Sequence, residues 1–164
     1  MNYQLVEEYG QHKHAGSKAK NDCIKILDEI GFKKIGLFRK EESNTSVTAK
    51  LKRQMDLFLQ WRKIYHQLEP NDTLLIQHPF LYTDIGRNYF LKKFKNKNIK
   101  LILLVHDIEI IRNLFQENHY NTEFQQMVPV TDYFIIHNEN MKKWLVEYGI
   151  DSNKLIVLEI FDYL

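Results

Sequence analysis

The stretch LILLVHDIEIIR, residues 101–112, joins an apolar run to a pair of ionisable residues. Its first five residues are all branched aliphatics, which is typical of a strand buried on both faces of a parallel sheet. His106 and Asp107 follow directly. Because ligands of open α/β sheets bind outside the carboxyl ends of the strands, this pair is predicted to lie at the edge of the sheet where ligands bind.

Strand and helix patterns alternate along the rest of the 164-residue chain. Short apolar runs predict strands, and apolar residues at helical spacing predict the helices between them. The alternation predicts one α/β domain over residues 1–164, with a mostly parallel sheet and helices on both faces. The predicted strands are 33–38, 73–77, 99–105, 132–137 and 154–160, with a weaker candidate at 2–7. The predicted helices are 17–31, 47–68, 83–97, 108–116, 121–128 and 139–149.

Composition narrows the class of protein. Hydrophobic residues make up 44% and charged residues 27% of the chain, which is typical of a globular domain, and a net charge of +2 is too small to indicate nucleic-acid binding. The single Cys23 excludes an internal disulfide and suits a reducing cytosol. There is no apolar signal core and no run long enough to span a membrane. We therefore expect a cytoplasmic protein, with contact at the inner face of the membrane left open.

The His106-Asp107 pair has two interpretations. In one, the histidine is a general base and the carboxylate orients it or binds substrate. In the other, Asp107 caps the helix that follows and His106 hydrogen-bonds a loop carbonyl.

Other predicted strands also end in polar groups. Gln77 and His78 precede Pro79, and His137 and Asn138 follow a later strand. The first pair is predicted either to hold a polar ligand or to form a turn, because the proline ends the strand and restricts His78 to extended geometry.

His12, His14, Gly16, Ser17 and Lys18 precede a predicted helix N-terminus, which is a natural place for an anion. Ser17 is the expected N-cap, so the segment is either a ligand-facing loop or a plain capped helix. Two histidines without a nearby Cys or carboxylate are a weak metal signal, and no metal site is predicted. The segment matches neither of the common phosphate-binding fingerprints.

Two further segments each have two interpretations. The basic run KKFKNKNIK (92–100) is either a solvated helix end, which we favour, or a contact for phosphate headgroups. The helix at 47–68 has a broad apolar face that indicates either core or a subunit interface, so a homo-oligomer is one expectation. The residues of that face are Leu51, Met55, Phe58, Trp61, Tyr65 and Leu68.

Five phrases occur together in order along the chain: AGSKAKNDCIKILDEIGFKKI (15–35), LLIQHPF (74–80), ILLVHDIEIIR (102–112), IIHNENMKKWLVEYGI (135–150) and LEIFDYL (158–164). In combination they resemble the N-terminal half of bacterial β-1,6-galactofuranosyltransferases and of the glucosyltransferases that extend glycans on streptococcal surface adhesins. The likeness covers nearly the whole chain. The family pattern around residue 78 more often has an aromatic where this chain has His78.

The resemblance implies a GT-B enzyme, in which two Rossmann-like domains face each other across a cleft. The N-terminal domain mainly holds the acceptor, and the C-terminal domain holds a nucleotide-sugar such as UDP-galactofuranose or UDP-glucose, with no bound metal or other cofactor. We expect this chain to be the acceptor-side half and to end about where such enzymes pass into the donor half. Its expected partners are a lipid-linked or protein-linked glycan acceptor and its own C-terminal domain, with no nucleic acid.

Sugar transfer requires the acceptor hydroxyl to lose a proton as it attacks the donor's anomeric carbon. His106 fits as the base without any pKa shift, and Asp107 would orient it or bind acceptor hydroxyls. The residues expected to bind the acceptor are Gln77, His78, Arg112 and Asn138, and the loop expected near the donor's phosphates is Gly16, Ser17 and Lys18. A non-catalytic carbohydrate-binding or regulatory module, and an assembly domain built on helix 47–68, are the alternatives.

Overall fold

The computed structural model describes residues 1–8, 15–38, 46–80, 84–106 and 119–158. These residues form one sheet of six parallel strands in the order β2-β1-β3-β4-β5-β6, which confirms the predicted α/β, Rossmann-like fold. The strands are β1 (Asn2–Glu8), β2 (Lys33–Phe38), β3 (Thr73–His78), β4 (Lys100–Val105), β5 (Tyr133–Ile136) and β6 (Leu155–Val157). The helices are α1 (Ala15–Glu29), α2 (Val47–Gln67), α3 (Ile85–Asn96), α4 (His119–Met127) and α5 (Glu139–Glu147).

The strand order places α1 on one face of the sheet and the other helices on the opposite face. The chain moves from β1 outward to β2 and then returns across β1 to β3, β4, β5 and β6. Because crossovers between parallel strands are right-handed, this reversal changes the face on which the connecting helix lies. The α1 face holds a small cluster around Cys23, Leu27 and Leu75. The main core, which includes Trp61 and Leu145, lies on the other face.

The predicted strands are confirmed near their expected bounds, with two differences. The weak candidate at 2–7 is a full strand that lies between β2 and β3. The last strand ends at Val157, and residues 159–164 lie outside the described part. The expectation that Ser17 caps α1 is wrong, because the helix already includes Ala15. Packing of its apolar face on the sheet outweighs the small helix cost of Gly16 and Ser17.

The start of α3 is locked onto α2. Asp84 caps α3 by accepting a hydrogen bond from Gly86 N at 2.8 Å, and its other carboxylate oxygen accepts from Trp61 Nε1. A Cβ placed on Gly86 would lie 3.0 Å from the Phe58 Cα, so any larger residue would force the two helices slightly apart. The start of α3 is therefore held against the middle of α2.

The apolar face predicted for α2 is only partly correct. Trp61 and Leu68 are buried, together with Leu57 and Ile64. Leu51 and Met55, however, are 67% and 55% exposed. The side chains that reach the core follow the spacing 57, 61, 64 and 68, which is a single helical face. A second ridge at i, i+4 spacing faces solvent and consists of Val47, Leu51, Met55 and Leu59.

No helix among the described residues is both long and apolar enough to cross a membrane.

We expect the exposed ridge of α2 to drive self-association. The double substitution Leu51→Glu with Met55→Glu places two charges on the ridge, and burying them in an interface would be costly. Light scattering of the parent chain over a concentration series should show a mass above the monomer that the double variant loses. Ile26→Glu with Ile30→Glu is the matched control, because both residues are exposed isoleucines, one on α1 and one directly after it. A parent chain that stays monomeric at high concentration would contradict the expectation.

Candidate functional site

A crevice opens at the carboxyl edge of the sheet between β1 and β3. The β1 strand pairs with β2 from Tyr3 to Glu8, but it pairs with β3 only from Asn2 to Gln4. Beyond Gln4 the two strands separate, at the point where the chain reverses its direction across the sheet. Reversals of this kind are where open α/β sheets bind their ligands. The crevice is lined by Glu7, Lys20, Ile76 and Gln77, among others.

A buried ion pair lies in this crevice. Lys20, from α1, donates to the Pro79 carbonyl and lies 3.5 Å from a carboxylate oxygen of Glu7, from β1. The two side chains are only 11% and 8% exposed. Burial lowers the pKa of Lys20, and the nearby Glu7 carboxylate opposes that effect. The pair links β1 to the residue after β3, where direct pairing of the strands has stopped.

Gln77 joins α1 to the end of β4. Its Nε2 donates to the Lys20 carbonyl at 3.3 Å, and its Oε1 lies 2.6 Å from His106 Nε2. The main-chain carbonyl of Lys20 can only accept a hydrogen bond, so the side-chain nitrogen of Gln77 must face Lys20 and the side-chain oxygen of Gln77 must face His106. Gln77 Oε1 can likewise only accept a hydrogen bond, so His106 Nε2 must carry the hydrogen that it donates to this oxygen. In the neutral ring, Nδ1 is the nitrogen left to accept a proton.

His106 is half-buried, and its ring lies 5.8 Å from the ring of His137. Burial lowers the pKa of His106 to about 4, and the charges of Lys20 and His137 add to that effect. The expectation that His106 has an ordinary histidine pKa is therefore corrected. At neutral pH the ring is uncharged. The prediction that His106 lies at the carboxyl edge of the sheet is confirmed, because it directly follows β4.

His78 points to the face of the sheet opposite to that of Gln77, because the side chains of consecutive residues in a strand alternate between the two faces. It is 2% exposed and packs against the rings of Phe80 and Phe124, with centroid distances of 6.0 and 5.4 Å. Burial lowers its pKa to about 3, with further contributions from the charges of Lys20 and Arg87. These aromatic surroundings would also accommodate an aromatic side chain at this position. Its proposed contact with acceptor stays a prediction.

An ion pair behind His78 fixes the segment that follows β3. Arg87, from α3, binds Glu123, from α4, at 2.9 Å, and both side chains are buried. The Arg87 guanidinium also lies 4.0 Å from the centre of the Phe80 ring. Because removal of one partner would leave a buried charge unpaired, this contact holds α3, α4 and residue 80 in one arrangement.

The other predicted site residues have different placements. Asn138 is exposed and caps α5, since its Oδ1 accepts a hydrogen bond from Met141 N at 2.8 Å. Gly16, Ser17 and Lys18 lie in α1, not in a loop as the sequence suggested. Asp107, Arg112, His12 and His14 lie outside the described residues.

Within the described ranges, no three His, Cys, Asp or Glu residues gather as a metal site would require. The expectation of chemistry without a bound metal remains a prediction.

Sequence reasoning missed Glu7 and Lys20. Neither residue follows a strongly apolar run, and the sequence pattern at 2–7 is only weakly typical of a strand. The available signal was Glu7 itself, a carboxylate near the end of the first strand that is followed 13 residues later by a lysine on the next helix. His137, which follows a predicted strand, also lies near the site, with its ring 5.8 Å from that of His106.

Comparison with known proteins identifies the family of the chain. The family described as "Glucosyltransferase 3-like, N-terminal domain" matches residues 2–160. The chain belongs to this family. A curated relative, Glucosyltransferase 3 of Streptococcus gordonii, is 26% identical to this glucosyltransferase 3-like domain over 168 residues, which cover 99% of the chain and 47% of that protein. The chain thus spans about half the length of the curated relative it matches. The resemblance read from the sequence is confirmed: this is an N-terminal domain of glycosyltransferase type.

We expect His78 to make the stability of the domain depend on pH. Its pKa is about 3 in the folded chain, whereas a histidine in an unfolded chain titrates near ~6.5. Between these values the unfolded state binds more protons, so the free energy of unfolding falls as pH drops below about 6.5. His78→Phe suits the aromatic surroundings and should remove on the order of 3 kcal/mol of this loss between pH 7 and pH 4. Urea unfolding at several pH values measures it.

His66→Phe is the matched control, because His66 is exposed on α2. This variant should keep the pH dependence of the parent chain. If His78→Phe loses as much stability on acidification as the parent does, burial of the neutral His78 ring is not the cause.

Proposed function

We propose that this domain is the acceptor-binding half of a GT-B glycosyltransferase that transfers a hexose from a nucleotide-sugar to a glycan. Membership of the glucosyltransferase 3-like N-terminal domain family is the observation that carries the proposal. The donor, of the UDP-glucose or UDP-galactofuranose kind, would bind mainly to a second domain. Enzymes that build surface polysaccharide or glycoprotein in the cytoplasm, or at the inner face of the membrane, fit this role.

The chemistry of the carboxyl edge supports an acceptor rich in hydroxyl groups. Gln77 carries both a donor and an acceptor, and Glu7 and Lys20 add a carboxylate and an ammonium. These groups already bind one another or the main chain and enclose only about 10 Å³, so a sugar would have to reach them from the outer rim of the crevice. Sites built from such groups discriminate between hydroxylated ligands, because a missing hydroxyl leaves a buried polar group without its partner. Asn138 and Arg112 would extend this recognition, and Asp107 would orient His106.

His106 is proposed as the general base. Its proton sits on Nε2, which faces Gln77, and its Nδ1 is buried. Binding of the acceptor would therefore turn the ring, so that the unprotonated nitrogen meets the attacking hydroxyl while Gln77 is released to the sugar. The lowered pKa keeps the ring neutral at pH 7, but a pKa of about 4 also makes it a weak base, so the proposal requires that binding of the acceptor raise this pKa towards the working pH.

The 164-residue chain should not bind nucleotide-sugars tightly, since the proposal assigns the donor to another domain. Calorimetry of this chain with UDP-glucose and with UDP-galactose should give no saturation at micromolar concentrations. Micromolar binding of either compound would refute the division of labour between the two halves.

His106→Ala should reduce kcat/KM by about 10²–10⁴-fold in a protein that carries this domain together with its donor-binding half. The fold should survive, because His106 lies at the rim and is half-buried. His66→Ala, on the exposed side of α2, is the control and should leave turnover unchanged. A lowered melting temperature with near-normal turnover would instead give His106 a purely structural role.

A second role in assembly is supported by the exposed ridge of α2, at Val47, Leu51, Met55 and Leu59. The two roles are compatible, because the ridge and the crevice use different side chains.

A further inference from the structure

A second recess lies at the opposite edge of the sheet, among the amino ends of β4, β5 and β6. This amino-edge groove has a volume of about 590 Å³, which is large enough for a small organic anion but far larger than one inorganic ion needs. Its charged and polar lining includes Lys95, Lys100, Lys154, Asp132, Tyr133 and Asn153. None of these residues takes part in the carboxyl-edge site.

The lining is rich in hydrogen-bond donors and carries excess positive charge. Three ammonium groups face one carboxylate, and the Asp132 carboxylate already accepts a hydrogen bond from Leu101 N at 2.8 Å. Lys95 donates to the Pro129 carbonyl at 2.9 Å, and each lysine has three N–H donors, so capacity remains for a ligand. Lys100 is exposed, and its Nζ lies 5.9 Å from the centre of the Tyr133 ring.

The rim of the groove is held in place before any ligand arrives. Asn71 and Asn98 both adopt left-handed backbone conformations, with φ of 69° and 60°. They bind each other twice: Asn98 Nδ2 donates to Asn71 Oδ1 at 2.6 Å, and Asn71 N donates to the Asn98 carbonyl at 2.9 Å. On the far side, Lys154 Nζ lies 3.5 Å from the Thr131 carbonyl. A rim fixed in this way lowers the ordering cost of binding.

The basic run at 92–100 is divided by the fold. Lys97 donates to the Tyr65 carbonyl at 3.1 Å and also to that of Leu68, so it ties the end of α3 to α2. Lys95 and Lys100 instead line the groove. The run is therefore more than a solvated helix end, since two of its lysines meet a third, Lys154, that is distant in sequence.

We infer that the amino-edge groove binds a phosphate-bearing anion of the size of a diphosphate or a small phosphorylated metabolite. Lysine ammonium groups bind phosphate oxygens as point charges, and the amide and phenol donors around them suit the remaining oxygens. The inference does not rest on the proposed function, because the groove and the carboxyl-edge crevice lie at opposite edges of the sheet.

The first test titrates the ¹⁵N-labelled 164-residue chain with inorganic pyrophosphate at low ionic strength. The amide signals of Lys100, Tyr133 and Asn153 should shift in a saturable way, and the shifts should weaken as salt is added. Lys95→Gln with Lys100→Gln should lower the affinity on the order of tenfold. Lys52→Gln with Lys63→Gln removes the same charge from exposed positions on α2 and should change affinity less than about twofold.

The second test distinguishes the source of the phosphate. Sedimentation with phosphatidylserine-containing vesicles, compared with pure phosphatidylcholine vesicles, reports whether lipid headgroups occupy the groove. Binding of pyrophosphate alone supports a soluble phosphorylated ligand, and vesicle binding that is lost in the Lys95→Gln, Lys100→Gln variant supports a headgroup. The inference is overturned if neither probe binds, or if binding is equal in this variant and in the Lys52→Gln, Lys63→Gln control. Thermal melts of both variants confirm that each is folded.

Discussion

The separation of β1 from β3 after three paired residues is the constraint on which the carboxyl edge depends. If pairing continued to the ends of both strands, main-chain hydrogen bonds would close the crevice, and Lys20 would have no space between them. The separation follows from the reversal of chain direction across β1, and α1 lies over the gap. Gln4 Nε2 donates to the Ile24 carbonyl at 3.1 Å, which holds this helix to the strand just where the pairing ends.

Much of this arrangement could be predicted from local sequence. Each parallel strand buried on both faces appears as an apolar run, and the residue after the run must lie at the carboxyl edge. This rule places Gln77 and His106 at that edge, and the register of β3 with β4 brings them into contact. Glu7 and Lys20 could not be found in this way. Their contact depends on how far β1 diverges from β3 and on where α1 crosses the strands, and neither property is encoded in a short pattern.

Helix α2 illustrates a different limit of sequence reasoning. It spans 21 residues and carries apolar side chains on more than one face. Periodicity alone cannot decide which face is buried, because Leu51 and Leu57 are equally apolar. The buried face is determined by the packing of α3 against α2. The start of α3 contacts α2 at Gly86, and the buried Asp84 carboxylate accepts a hydrogen bond from the indole N–H of Trp61. His78 is similar, because its surroundings of phenylalanine rings come from segments that are 2 and 46 residues away along the chain.

Gln77, whose side-chain amide does not ionise, lies between two ionisable residues, Lys20 and His106. Its amide bonds the main chain of Lys20 on one side and the ring of His106 on the other, and so transmits position between them. An amide is a poor carrier of protons compared with a carboxylate, a water or a second imidazole in the same place. Lys20 and His106 therefore influence each other through the electric field across a short distance, and the Gln77 amide between them offers no direct path for a proton.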